Sequence, residues 1–299
     1  MSSIHTQKHP CGHGAHPEKN SACSALAGLD AKCAMLAQSL EGQDRIAVAY
    51  SGGVDSTFIA WFTHTKLKKS VQCFFADTPF ISREERTGAL RTAEELGLAL
   101  EIITFDPLDS LEVRANPVDR CYFCKREVFG RVIALAAERN CQVVVDGSHA
   151  GDQSGYRPGK RALSELGVLS PLAFAGLVKE EIRRLSLEAG ISNWDKPSQS
   201  CLATRVPYGT PLSIPLLQKI EEAEECLHAL GCIQVRVRCH DDLARIELPR
   251  ADFARILALE ASTAIVEQFR RLGFAHVTLD LAGFRSGSWD EKTTRGSEA

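Results

Sequence analysis

The sequence predicts an α/β protein, a doubly wound and mainly parallel sheet followed by a smaller C-terminal α+β domain. Three observations carry this. Short apolar, β-branched runs alternate with helix-period segments over the first half of the chain, the pattern of repeated strand–helix–strand units with a parallel sheet. Ser51, Asp77 and Gly147 each lie just past a strand-like run, where open α/β sheets bind ligands. The pattern then changes after about residue 200. With 299 residues, 44% of them apolar and 24% charged, the chain is long enough for one large domain or two ordinary ones.

Residues 1–20 are polar and carry His5, His9, Cys11, His13 and His16, a composition read as a disordered tail, with a metal-binding tail as the alternative. Residues 21–200 are expected to form the sheet domain. It opens with an amphipathic helix over 21–40. Strands follow at 46–50, 71–76, 100–105 and 141–146, and helices at 54–66, 82–97 and 122–139, the second ending at Gly97. Residues 201–285 are expected to form the second domain. "SIPLLQKIEEAEECLHALG" reads as a helix, "IQVRVRC" and "LARIEL" as strands, 251–259 and 262–272 as helices, and "AHVTLDL" as a last strand. Residues 286–299 read as a tail.

The bulk numbers exclude some functions. A net charge of -3 argues against broad nucleic-acid binding, which shows a basic surplus. No apolar run reaches bilayer-spanning length, and the first twenty residues lack a signal-type apolar stretch, so a cytoplasmic location is expected. Eleven cysteines in a chain too long to need disulfide staples are read as core, metal-bound or catalytic thiols. Cys73, Cys141, Cys226 and Cys232 fit the first class.

The stretch "AYSGGVDST" (Ala49 to Thr57) joins the first strand to a helix. Gly52 and Gly53 permit close backbone approach to an anion. Ser51 and Ser56 add hydroxyl donors, and the helix opening at Val54 adds its N-terminal dipole. Asp55 would repel a phosphate unless a divalent cation lay between them, which implies Mg²⁺. The loop has neither the lysine-containing Walker spacing nor G-x-G-x-x-G.

Two further stretches carry thiols. "NPVDRCYFCK" places Cys121 and Cys124 three positions apart, with Arg120 and Lys125 beside them. Such a pair serves a metal, a cluster or redox exchange, and two incidental helix-start cysteines are the plain alternative. "SCLATRVPYG" places Cys201 in a turn-rich segment, four residues before Arg205, whose charge favours a thiolate.

"SGGVDS" resembles the pyrophosphate loop of the PP-loop ATPases, which cleave ATP between its α and β phosphates and adenylate a substrate. The run of "YSGGVDST", "NPVDRCYFCK", "DGSHAGDQSGYRPG", "ALSELGVLSPL", "KPSQSCLATRVPYG" and "LARIEL", in that order, resembles the LarE family over roughly residues 25 to 288. That resemblance implies an ATP-dependent sulfur transferase of nickel-pincer nucleotide cofactor synthesis. Its substrate would be pyridinium-3,5-biscarboxylic acid mononucleotide, one carboxylate being adenylated and its AMP replaced by sulfur. It further implies that Ser51, Gly52, Gly53, Val54, Asp55, Ser56, Asp77, Gly147 and Asp152 serve ATP and pyrophosphate. Cys121, Cys124 and Cys201 would hold a 4Fe–4S cluster, with Cys201 and Asp55 as catalytic groups. A family variant with one cysteine, at the position of Cys201, instead gives up its own sulfur. Without metal the three thiols are expected to stand apart, since like thiolates repel.

After the fourth strand the family pattern shows an amide and a second acid where this chain has His149 and Gly151. Either ATP or Mg²⁺ is held differently, or the missing acid faces solvent. In "IQVRVRC", Arg236 and Arg238 share the strand face opposite Val235 and Val237. Two arginines on one face suit a phosphate fork or a solvated face. The resemblance favours the substrate's phosphate, with Arg205 and Glu224 as further substrate contacts. A sulfide or other sulfur donor and a homo-oligomer are expected. The rival readings are a tRNA thiolase sharing the loop and the cysteines, and a non-catalytic iron–sulfur or adenine-nucleotide sensor.

Overall fold

The computed structural model of the chain describes residues 18–153 and 158–285. Four strands, β1 (Arg45–Ala49), β2 (Ser70–Asp77), β3 (Ala99–Thr104) and β4 (Val143–Val145), form one parallel sheet in the order β3-β2-β1-β4. The chain runs outward from β1 through β2 to β3 and then crosses to the other side of β1. The ends of β1 and β4 therefore flank the reversal point, where ligand crevices open in such sheets.

Alternation along the strands divides the apolar side chains between two layers. Ile46, Val48, Cys73, Phe75 and Val145 pack with α1 (Glu18–Ser39), α2 (Val54–Trp61), α3 (Arg83–Glu95) and, farther along the chain, α8 (Lys179–Glu188). Ala47, Phe74, Ile103 and Val144 face the opposite way, against α5 (Arg120–Glu138) and α6 (Pro158–Glu165). The doubly wound expectation is borne out. Four helices went unpredicted: the short α4 (Leu111–Arg114) before α5, then α6, α8 and the single turn α7 (Pro171–Phe174) between the last two. Helix 54–66 splits, because α2 ends at Trp61 and a π-helical turn spans Phe62–Lys66.

The C-terminal part holds α9 (Ile214–Ala229), β5 (Arg236–His240), β6 (Leu243–Glu247), α10 (Phe253–Leu257), α11 (Leu259–Arg271) and β7 (His276–Leu279). Strands β5 and β6 pair antiparallel, β6 and β7 parallel. The expected helix over 251–259 is shorter. Ala258 adopts extended backbone (φ -54°, ψ 138°), and α11 starts directly after it. The apolar cluster of this sheet includes Phe80, Leu108 and Val113 from the loops beyond β2 and β3. The two parts thus share a core at the ligand end of the larger sheet. Among the described residues no helix is long and apolar enough to cross a membrane. Residues 1–17 of the expected 1–20 tail and the expected tail 286–299 lie outside the described residues, while residues 18–20 belong to α1.

Candidate active site

The loop after β1 is shaped by contacts that only glycine permits. Gly52 has φ +71°, and a Cβ there would sit 2.3 Å from Ala89 Cβ of α3. Gly147, just past β4, lies so close to the start of α2 that a Cβ would come within 2.8 Å of the Ser56 backbone nitrogen. The hydroxyls close the loop on itself. Ser56 Oγ accepts from Ser51 N–H (3.1 Å) and donates to Gly53 O (3.1 Å), while Ser51 Oγ lies 3.0 Å from it. The first backbone bond of α2 runs from Thr57 N–H to Gly53 O at 3.0 Å. The amides of residues 54–56 therefore precede the helical ladder, at the positive end of the dipole.

Asp55 is held differently from the sequence expectation. Its Oδ2 accepts from Lys179 Nζ at 2.6 Å, so a lysine supplies a counter-charge. Its Oδ1 is buried without a partner, which leaves one oxygen for a cation. Lys179 went unnoticed in sequence because helix α8, which it opens, did too. Asn193 is a second unforeseen support, donating from Nδ2 to Gly52 O (3.1 Å) and Thr57 Oγ1 (3.1 Å).

Of the other expected nucleotide contacts, Asp77 pairs with Arg86 at 2.7 Å at the end of β2. Asp152 accepts from His149 N–H at 3.1 Å within its own short turn. The two departures from the family pattern are one packing event. A side chain at Gly151 would begin 3.0 Å from His149 Cε1, so the ring covers the space that a residue at 151 would need. Asp146, missed in sequence, is buried and accepts from Ser148 Oγ and from Ser170 Oγ (2.7 Å). An acid closing the apolar run "CQVVVD" was the available signal.

The thiols come together from two distant segments. Cys121 and Cys124 lie on the first turns of α5, while Cys201 precedes a 3₁₀ turn at Leu202–Arg205. Leu202 N–H donates to Phe80 O at 2.9 Å, which pins the Cys201 segment to the loop beyond β2. Burial, followed by the charge of Cys201, raises the Cys121 thiol above its usual range. Burial, then Cys201 and Cys121, pushes Cys124 up to about 12. Arg120 and Lys125 act against both rises. The three thiols are thus electrostatic neighbours. Among the described residues, however, no group of three His, Cys, Asp or Glu side chains is close enough to hold a metal ion as it stands.

Arg236 and Arg238 of β5, and Arg205 before α9, are buried, which rules out a solvated face for the β5 pair. They divide by partner. Arg205 makes a two-pronged pair with Glu224, Nε to Oε1 and Nη2 to Oε2 both at 2.9 Å. Burial works against its charge, and Glu224 outweighs that. Glu224 Oε1 also accepts from Val237 N–H at 2.8 Å, so it ties α9 to β5. Arg238 donates to Glu247 (3.1 Å) and to Thr204 O (2.6 Å), and Glu247 also receives Arg245 at 3.0 Å. Arg236 differs from these. It is 5% exposed, stacks on Phe284 with its guanidinium 4.5 Å from the ring centroid, and reaches Arg285 O at 3.5 Å. Among the described residues no carboxylate lies within ion-pair distance of it. Burial, then Arg205 and Arg238, pushes it down to about 10. Such a group favours an arriving anion. Glu225, next to Glu224 on α9, pairs with Arg83 at 2.8 Å.

Residues 35–166 match a family model described as asparagine synthase. A Synechocystis protein described as uncharacterized protein slr1717 is 38% identical over 267 residues, 89% of this chain and 100% of that protein. The pyridinium-3,5-bisthiocarboxylic acid mononucleotide synthase of Lactiplantibacillus plantarum is 36% identical over 275 residues, 92% of this chain and 99% of that one. A Methanocaldococcus jannaschii protein described as uncharacterized protein MJ0830 is 33% identical over 242 residues, 81% of this chain and 91% of that protein. With full-length likeness to the synthase and a glycine-shaped phosphate loop at the sheet's reversal point, the chain belongs to the LarE family of ATP-dependent sulfur transferases built on a PP-loop domain.

Proposed function

We propose that this enzyme adenylates a carboxylate of pyridinium-3,5-biscarboxylic acid mononucleotide and exchanges AMP for sulfur, as a step of nickel-pincer nucleotide synthesis. The observation that carries this is the Cys201 segment, pinned by Leu202 to the loop beyond β2 at the ligand end of the sheet, beside Cys121 and Cys124. A carboxylate oxygen attacks the α-phosphorus of ATP, and the bond to the β-phosphate oxygen breaks. The amides of residues 54–56 and Ser51 hold the departing pyrophosphate. Asp55 suits Mg²⁺, since its Oδ1 is buried and lacks a partner. Mg²⁺ there would offset the charge that builds on the leaving group. Arg236 takes the phosphate of the mononucleotide, since Glu247 and Glu224 offset only part of what burial, Arg205 and Arg238 take from its charge. Sulfur then attacks the activated carbonyl carbon and AMP leaves.

Cys121, Cys124 and Cys201 fit a 4Fe–4S cluster by donor chemistry, being three thiols with Arg120 and Lys125 beside them to offset thiolate charge. The cluster would supply an exchangeable sulfide on the iron without a protein ligand, sparing Cys201. Replacement sulfide, a homo-oligomer and a cytoplasmic setting belong to the same reading. Anaerobic purification with iron and sulfide analysis, followed by the chain mass after turnover, tests it. About four irons per chain and an unchanged mass are expected. Iron-free activity with Cys201 converted to dehydroalanine refutes the cluster. Pyrophosphate release with tRNA but not with the mononucleotide refutes the substrate.

A further inference from the structure

Arg120 is 1% exposed and among the largest fully buried side chains. A guanidinium so deep is normally matched by a carboxylate, yet among the described residues none lies within ion-pair distance. Its partners are neutral, and they come from both thiol segments. Nη1 donates to Asn116 Oδ1 at 2.5 Å and to Ala203 O at 3.0 Å, and Nη2 lies 3.9 Å from Cys121 Sγ. Tyr208 covers the group, its ring centroid 5.9 Å away.

Asn116 extends the same connection. It is fully buried at φ +54°, a conformation that asparagine tolerates better than most residues. Its Nδ2 donates to Pro207 O (2.8 Å) and Thr210 O (3.0 Å), and its carbonyl accepts from Gly209 N–H (2.8 Å). Leu212 N–H donates to Arg114 O at 2.8 Å. The run from Ala203 to Leu212 is thereby stitched to residues 114–120, immediately before the C-x-x-C.

We infer that Arg120 is a positioning residue of the sulfur site: with Asn116 it clamps the Cys201 segment onto the start of α5, so that Cys201 meets Cys121 and Cys124. The fork is essential, because one nitrogen serves both segments while the other faces a thiol. A lysine keeps the charge, but its Nζ falls about where the guanidinium carbon lies, one bond short of the Nη1 that makes the bridge, and leaves no second nitrogen toward Cys121. This inference rests on the sulfur-site reading above. Its test reads thiol proximity in iron-free protein, so it stands or falls apart from whether iron binds.

The test uses full-length, iron-free, reduced protein and dibromobimane, which becomes fluorescent on bridging two nearby thiols. Bridged peptides are identified by mass spectrometry. Cys121 and Cys124 lie on one helix and give an internal control that does not depend on the clamp. In the parent protein, bridges from Cys201 to the α5 thiols should accompany the Cys121–Cys124 bridge. In Arg120→Lys, the Cys201 bridges should fall at least fivefold relative to the internal one. Asn116→Gly suits the backbone angle and removes the side-chain links, and should act in the same direction. If Arg120→Lys does not fold, Asn116→Gly decides. A parent-like ratio in the folded Arg120→Lys protein, or in Asn116→Gly where that variant decides, overturns the clamp. So does an equal loss of both kinds of bridge, which marks general loosening.

Discussion

Arg236 and Arg238 sit two residues apart on one strand, and the structure gives them opposite predicted behaviour. Replacing either with methionine keeps most of the buried stem. Arg238→Met removes a partner of buried Glu247 and a donor to Thr204 O. Breaking a buried pair costs about 3–5 kcal/mol. Arg245 still neutralises Glu247, so the low end, about 3 kcal/mol, is expected. At about 1.6 °C per kcal/mol for a chain of 299 residues, Tm should fall by about 5 °C. Arg236→Met breaks no ion pair. Its guanidinium is pushed down to about 10, first by burial and then by Arg205 and Arg238. Holding that charge costs the substrate-free protein on the order of 2–3 kcal/mol after allowance for residual solvent. Removing it should leave Tm unchanged or higher. Binding of the mononucleotide should instead weaken by about 1.5–3 kcal/mol, a roughly 10- to 150-fold rise in Kd, with ATP affinity unaffected. Differential scanning calorimetry and titration calorimetry read the two effects separately. A large Tm loss in Arg236→Met with a harmless Arg238→Met would refute this division of labour.

Three further outcomes follow from other contacts. Asp55→Asn should lower pyrophosphate release about 100-fold or more with the fold intact, since the cation would lose its charged oxygen; parent-like release in a folded variant would remove Asp55 from the site. Gly147→Ala puts a methyl 2.8 Å from the Ser56 nitrogen and should cost about 1–3 kcal/mol in urea unfolding while displacing the α2 amides; an unchanged midpoint and unchanged pyrophosphate release would show that the contact relaxes freely. Burial pushes the Glu181 carboxyl up, but Lys32 and the Val178 N–H outweigh it and hold it below its usual range. Its stabilisation is therefore present above the ordinary carboxylate range and lost as pH falls through the lowered value. Lys32→Met should flatten the acid limb of the Tm–pH profile by less than about 1 kcal/mol, and an unaltered limb would show that the pair contributes nothing.

The larger sheet was legible because its strands are apolar runs bounded by glycine and acids, signals that local chemistry imposes. The phosphate loop was legible for the same reason, since Gly52 answers to a backbone angle and a close contact. Helices α4, α6, α7 and α8 escaped because they are short. Of the residues of α8, only Ile182 and Ser186 are fully buried, too thin a stripe to stand out. The alternation of "IQVRVRC" was real, but by itself it left a phosphate fork and a solvated face open, whereas β5 is buried on both faces. What decides the roles of its arginines is the placement of Glu224 and Glu247, a tertiary fact with no sequence period. Lys179 and Asn193 support the loop from far along the chain. Arg120 stood in a quoted motif, yet its bond to Ala203 spans 83 residues and could not be read from spacing.

That long-range bond bears on how strongly the thiols can act as a set. Bringing the ends of an 83-residue loop together costs about 4 kcal/mol in chain entropy. In small metal-folded modules the bound ion itself must close such loops, and its affinity is reduced accordingly. Here packing between the two sheets and the stitches around Asn116 have already closed the loop. Cys201 is therefore presented to Cys121 and Cys124 at a high effective concentration before anything binds. On the proposed reading, a thiophilic group arriving at the α5 pair would gain its third sulfur as an intramolecular step.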